Sequence, residues 1–129
     1  MIQVQTILKV ADNSGGKTVR CLKILKKGHK ARYGKIGDVL VVSVQQIRAK
    51  NKLTSKVKKG DVLLAVLVKT RSFLHKNNGV SFCFSNNSVV LLDKEKKSNP
   101  LANRVIGLIP RQLRYSKHSK IVSLSSGII

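Results

Sequence analysis

Few side chains in this sequence could do covalent or acid–base chemistry. There are five carboxylates, two cysteines and three histidines among 129 residues. Asp12 opens the turn string DNSGG. Asp38 and Asp61 each follow a glycine and lead into apolar runs. Those positions have ordinary turn or strand-end readings. Asp93 and Glu95 are the only close pair, and they sit in LLDKEKKSNP, which reads as a solvated lysine-rich loop rather than an acid–base site. A metal-dependent nuclease needs clustered carboxylates, and this chain has almost none to cluster. No GxSxG, Walker or GxGxxG string is present. Cys21 and Cys83 form no CxxC, and His29, His75 and His118 are as scattered, so no zinc spacing exists and neither a metal nor another cofactor is expected. Both cysteines fall in apolar, strand-like segments. They are expected to be buried small hydrophobes, with a disulfide or a reactive thiol as the alternative. The chain therefore reads as a non-enzyme.

Cations are abundant instead. Lys and Arg number 26, which leaves a formal net charge of +21. A small domain with that charge repels itself and calls for a polyanionic partner, either nucleic acid or an anionic membrane surface. The longest apolar run, Val62 to Val68, is far short of the ~20 residues that span a bilayer. The opening MIQVQTILKV resembles neither a signal nor a transit peptide, so the protein is expected to act in the compartment where it is made, and without a membrane partner. Nine cations fall in residues 1–36, six in 47–60 and five between Arg104 and Lys120, with none between Lys76 and Lys94. Any one cluster could be a solvated face. Three clusters with so few balancing acids favour phosphate binding. The loop candidates are Lys17, Arg20, Lys30, Arg32, Lys35, Lys50, Lys58 and Lys59, joined by Asn13, Lys69, Arg71, Arg111, Arg114 and Lys117.

The elements that must position these groups are short. Apolar segments read as strands at Thr6–Val10, Lys17–Leu25, Asp38–Gln46, Val62–Thr70, Val80–Phe84 and Ser88–Leu92, separated by turn signals such as Asn77-Asn78-Gly79. Asp38–Gln46 is apolar on both faces. The fold class is mainly β, a small barrel in one domain. From Ser98 the character changes. Pro110 can open one short helix, and Ser116–Leu124 reads as a second, with Ile121 and Leu124 on one face. The barrel thus covers about 1–97 and a helical C-terminal region about 98–129. The aromatics are only Tyr33, Phe73, Phe82, Phe84 and Tyr115. Phe82 and Phe84 lie in the charge-free gap and are expected in the core with Val66 and Val68; the alternative is an exposed stacking platform for single-stranded RNA. A barrel poor in stacking groups and rich in loop cations suits folded RNA recognised through backbone and shape. No major-groove recognition helix is evident.

Specific strings then resemble one family, the universal large-subunit ribosomal protein fourteen. MIQVQTILKVADNSGG is similar to its N-terminus, GHKARYGKIGDVL to its basic loop and next strand, and KVKKGDVLLAVLVKT to the following loop and strand. The family signature is met by Ala65-Val66-Leu67-Val68, nine residues, Asn78-Gly79, four residues, Phe84, two residues, Asn87, two residues and Val90-Leu91. NRVIGLIPRQLRYSKHSKIVSLSSGII resembles its tail. The resemblance implies a five-stranded β-barrel with a hairpin extension and a C-terminal region of two short α-helices. It implies a structural role in the large subunit, with large-subunit rRNA, small-subunit rRNA at intersubunit bridges, and ribosomal proteins nineteen and three as partners. It also implies docking of a ribosome silencing factor at Asn103, Arg104 and Lys120, where Asn103 replaces the usual Thr. The longer loop from Arg48 to Lys56, the SSGII ending, the Tyr115–Ser119 stretch and the high Lys, Ser and Asn content depart from the bacterial form. That drift favours an organelle-encoded protein of the mitochondrial matrix over a plastid or bacterial cytoplasmic one. The competing function is a free small-barrel RNA-binding factor, an RNA chaperone or translation factor.

Overall fold

The period-two alternation read from the sequence closes a sheet on itself. A computed structural model of the chain describes residues 2–25, 33–49, 53–93, 99–115 and 118–129. Five strands form a closed barrel in the order β1 (Ile7–Val10), β2 (Gly16–Leu25), β3 (Val39–Ile47), β4 (Val62–Lys69) and β7 (Ser88–Leu91). Neighbours are antiparallel except β1 and β7, whose parallel pairing completes the ring. Closure removes the open sheet edges that would otherwise invite aggregation.

Alternation decides which side chains enter. Leu8 and Val10 of β1, Leu40, Val42 and Val44 of β3, and Leu63, Ala65 and Leu67 of β4 fill the interior. Val39, Val41 and Ser43 are only partly covered, so β3 does not bury both faces fully. In β2 the inward residues Val19, Cys21 and Ile24 break the period, because Cys21 and Ile24 are three apart. A register shift between Cys21 and Lys23 absorbs the extra residue and returns Ile24 to the core. Each fully buried Val or Leu of this set contributes about 1.5–3 kcal/mol.

The outer wall of β4 and β7 is covered as well. Val66, Val68 and Val90 pack there against Val105, Ile109, Leu113 and Ile121 of the C-terminal region. This second cluster explains why β7 is buried at all four positions, and why no cation occurs along it. The C-terminal region differs from the expected pair of helices. It consists of β8 (Val105–Ile109), a 3-10 turn (Arg111–Arg114), α1 (Ser119–Ser123) and β9 (Ser125–Ile128). β8 and β9 pair in parallel, Val105 opposite Ser125 and Ile109 opposite Ile128. The expected second helix is thus shortened to Ser119–Ser123, and residues 116 and 117 lie outside the described segments. The apolar stretch VIGLI sits where its backbone can pair with SSGI, and that sheet satisfies groups a short helix would leave open.

Three of the five acids prove structural. Asp38 and Asp61 close the same turn built twice, Lys35-Ile36-Gly37-Asp38 before β3 and Lys58-Lys59-Gly60-Asp61 before β4. In each, the backbone N–H of the Asp donates to the carbonyl of the Lys, at 3.1 and 3.2 Å. The carboxylates accept from the Lys35 and Lys58 N–H groups at 2.5 and 2.9 Å. Both glycines hold φ of +90°, which other L-residues adopt only with strain. Asp12 is fully buried. One oxygen accepts from the Ser14 N–H at 2.9 Å and from the Ser14 hydroxyl, and the other accepts from the Leu91 N–H at 2.8 Å. It therefore pins the β1–β2 turn to β7.

His118 precedes α1 and is buried, with no hydrogen-bond partner for its Nδ1. Burial disfavours the charged imidazolium and lowers its pKa. The unfolded chain then takes up a proton near pH 6.5 that the folded chain refuses. The His118 contribution is fully present above that pH and is lost as pH falls toward the lowered folded value. The slope is at most about 1.4 kcal/mol per pH unit. Denaturation curves from pH 7.5 down to about 5 should lose less stability in His118→Phe than in the parent. Parallel curves would show that this histidine is not the titrating group.

Candidate nucleic-acid interface

The two outer faces of the barrel have opposite characters. The β4–β7 face is capped by the C-terminal cluster, whereas the β1–β2–β3 face is open and basic. On β1, Lys9 points outward between buried Leu8 and Val10. Its neighbour Ile7 lies opposite Arg20 of β2, and Arg20 lies opposite Ser43 of β3. Directly opposed residues share a face, so Lys9, Arg20 and Ser43 belong to one outer surface. Lys23, opposite Val41, extends it, and Lys17 is exposed at the start of β2. Lys9 and Lys23 were not among the sequence candidates. Their signal was present in the strand alternation, which sends them outward, but they lie outside the loops where cations cluster.

The turns add further exposed cations: Lys35 before β3, and Lys58 and Lys59 before β4. Arg71 follows β4 and is exposed. Candidates Lys30, Arg32, Lys50 and Lys117 lie outside the described residues.

Other basic groups have intramolecular tasks. Lys69 is half-buried, and its Nζ donates to the Ile106 carbonyl at 3.1 Å. Burial lowers its pKa, as desolvation disfavours the ammonium. It ties β4 to β8. Arg48 donates to the Val10 carbonyl at 3.0 Å, and Lys56 donates to the Leu101 carbonyl at 3.0 Å. Asn13 and Arg104 form a reciprocal pair. The Asn13 N–H donates to the Arg104 carbonyl at 3.3 Å, and the Asn13 side-chain oxygen accepts from the Arg104 N–H at 3.2 Å. The Arg104 side chain remains exposed beside Asn103, lining a shallow pocket of about 410 Å³ with Asn13, Gly107 and Ser126. Lys120 donates to the Asn99 side chain at 2.7 Å. Arg111 and Arg114 stand exposed on the 3-10 turn, which is anchored by buried Leu113.

Between β4 and β7 the chain makes an excursion. β5 (Leu74–His75) and β6 (Ser81–Phe82) form a two-stranded ribbon, with Leu74 opposite Phe82. Phe82 and Phe84 are only half-buried, packed edge-to-face at 5.7 Å between ring centroids. The expectation that they belong to the core is corrected here, although Val66 and Val68 are core as expected. Cys83 is exposed rather than buried, while Cys21 is buried and its thiol pKa is raised by that burial. Phe82 ends β6, and Cys83 and Phe84 follow it outside any strand. A two-stranded ribbon outside the barrel has too little sheet on either side to bury its side chains. Among the described residues, no cluster of His, Cys, Asp and Glu could hold a metal. No described helix is long and apolar enough to cross a membrane.

The model of one protein family, ribosomal protein L14p/L23e, matches residues 1–129. The chain belongs to that family. An L14p/L23e protein is a structural component of the large ribosomal subunit and not an enzyme. Its signature has a physical basis here. Ala65–Val68 lies in β4 and Val90-Leu91 in β7, all fully buried. Asn78-Gly79 makes the hairpin turn, with the Asn78 side chain accepting from the Val80 N–H at 3.2 Å. Asn87 closes the base of the hairpin by accepting from the Arg71 N–H at 2.9 Å, and the Phe84 N–H donates to the Thr70 carbonyl at 3.1 Å. The L14p/L23e signature thus marks where the chain leaves the barrel, turns and returns.

Proposed function

We propose that this L14p/L23e protein grips large-subunit rRNA with the open β1–β2–β3 face and its adjoining turns, and presents its C-terminal cations to small-subunit rRNA at an intersubunit bridge. One observation carries the reading: Lys9, Lys17, Arg20 and Lys23 stand exposed on or beside the outer face of β1, β2 and β3. Such a surface is held by phosphates without a base-specific code. Asn13, Lys35, Lys58, Lys59 and Arg71 extend the contact, together with Lys30, Arg32 and Lys50. Proteins nineteen and three of the large subunit are the protein neighbours. Asn103, Arg104 and Lys120, backed by Arg111, Arg114 and Lys117, serve the subunit interface and the docking of a silencing factor. The drift in the tail and the Lys-, Ser- and Asn-rich composition support a mitochondrial ribosome.

Gradient sedimentation of ribosomes tests the assignment. Large subunits should retain the parent protein in high salt, whereas a free RNA-binding factor would wash off. Arg104→Glu with Lys120→Glu should leave the protein on the large subunit and weaken subunit joining and factor docking. Loss of that variant from large subunits would make these residues internal rRNA anchors instead. Unchanged factor binding would remove the docking role.

A further inference from the structure

A groove of about 470 Å³ lies between the tip of the β5–β6 hairpin and the C-terminal 3-10 turn. From the hairpin it is lined by Lys76, Asn77 and Phe82, and from the turn by Arg111, Gln112 and Tyr115. The Lys76 ammonium stands over the Phe82 ring, 5.1 Å from its centroid. Tyr115 is 78% exposed, a large aromatic standing in solvent. Among the described residues, no Asp or Glu side chain lines the groove. Two aromatic surfaces, two cations and the side-chain amides of Asn77, Asn78 and Gln112 thus converge in a space that suits a drug-sized or nucleotide-sized group. We infer that this groove receives one unstacked nucleotide of rRNA, its base on Tyr115 or Phe82, its phosphate on Arg111 or Lys76, and its base edge within reach of Asn77 and Gln112.

The chemistry favours a nucleotide over a peptide. An apolar peptide anchor would gain nothing from the paired cations, and the described lining has no carboxylate to meet a basic one. A nucleotide uses every class of group present. Aromatic stacking is sequence-tolerant, while Arg supplies a bidentate phosphate contact. The inference rests on the proposed rRNA-binding role and adds to it a base-dependent contact that the open face lacks.

The test uses the full chain and two fluorescent probes, hexauridylate and a hexamer abasic at every position, compared at moderate salt. The parent should bind hexauridylate roughly 5- to 150-fold more tightly than the abasic probe, the range expected for one stacked base. Tyr115→Ser, at an exposed position where folding is not at risk, should erase that difference and leave abasic binding unchanged. Phe82→Leu serves as the second variant. Equal affinity of the parent for both probes overturns the groove assignment while leaving phosphate binding by the barrel face intact. Failure to bind either probe or an rRNA fragment would overturn the rRNA role itself. In large subunits, ultraviolet crosslinking should join Tyr115 or Phe82 to a nucleotide. A crosslink to a neighbouring protein instead would assign the groove to a protein segment and refute the proposal.

Discussion

Raising salt from 50 to 200 mM should weaken binding of an rRNA fragment to this chain by roughly 10³-fold or more if six phosphates are neutralised. Phosphates neutralised by Lys and Arg release condensed counterions, so the logarithm of affinity falls linearly with that of salt. The slope is about −0.7 per contact on single strands and −0.9 on duplex. The exposed cations of the β1–β2–β3 face and the two glycine turns are numerous enough to reach that regime. Single substitutions separate direct from indirect roles. Arg20→Ala or Lys9→Ala should flatten the slope by about one contact without affecting stability. Lys69→Ala should leave the slope nearly unchanged and lower stability, because its ammonium is committed to the Ile106 carbonyl. Affinity that stays flat across the salt range would refute the electrostatic reading. A slope change for Lys69→Ala equal to that for Arg20→Ala would return Lys69 to the RNA surface.

Removing the Asp12 carboxylate should destabilise the fold by about 2–5 kcal/mol, since it strands two buried donors at about 1–3 kcal/mol each. Those donors are the Ser14 and Leu91 N–H groups. That is a large fraction of the ~5–15 kcal/mol that holds a domain together. Asp12→Asn should fall between, because one side-chain oxygen replaces two. Asp61→Ala, which removes a single exposed turn contact, should cost only about 0.5–1.5 kcal/mol. Chemical denaturation of the three variants checks the order. If Asp12→Ala is no worse than Asp61→Ala, the carboxylate is not the pin between the β1–β2 turn and β7.

The contrast between these two aspartates marks what could be read in advance. Turn residues, strand alternation and the charge balance are local properties, visible in windows of a few residues. They placed the five barrel strands within a residue or so of their observed bounds. They also pointed away from catalysis, because only Asp93 and Glu95 of the five acids lie close together in sequence. The signature string legibly encoded barrel, hairpin and barrel, as its residues are the ones that close that excursion.

Tertiary structure alone decided which cations are free and which hydrophobes are covered. Lys69, Lys56 and Arg48 look like their neighbours in sequence, yet each donates to a carbonyl 37 to 45 residues away. Asp12 reads as a turn former until its second oxygen meets Leu91, 79 residues on. Phe82, Cys83 and Phe84 alternate like a core strand, but the barrel closes with five strands, and these residues end and follow the two-stranded ribbon, partly in solvent. The tail read as helical because Ile121 and Leu124 fall at helical spacing. Pairing of β8 with β9 joins segments about twenty residues apart, which no short window can specify. Spacing along the chain sets what each residue prefers locally. The choice of partner is made only when distant backbone groups compete for the same buried hydrogen bonds and the same apolar wall.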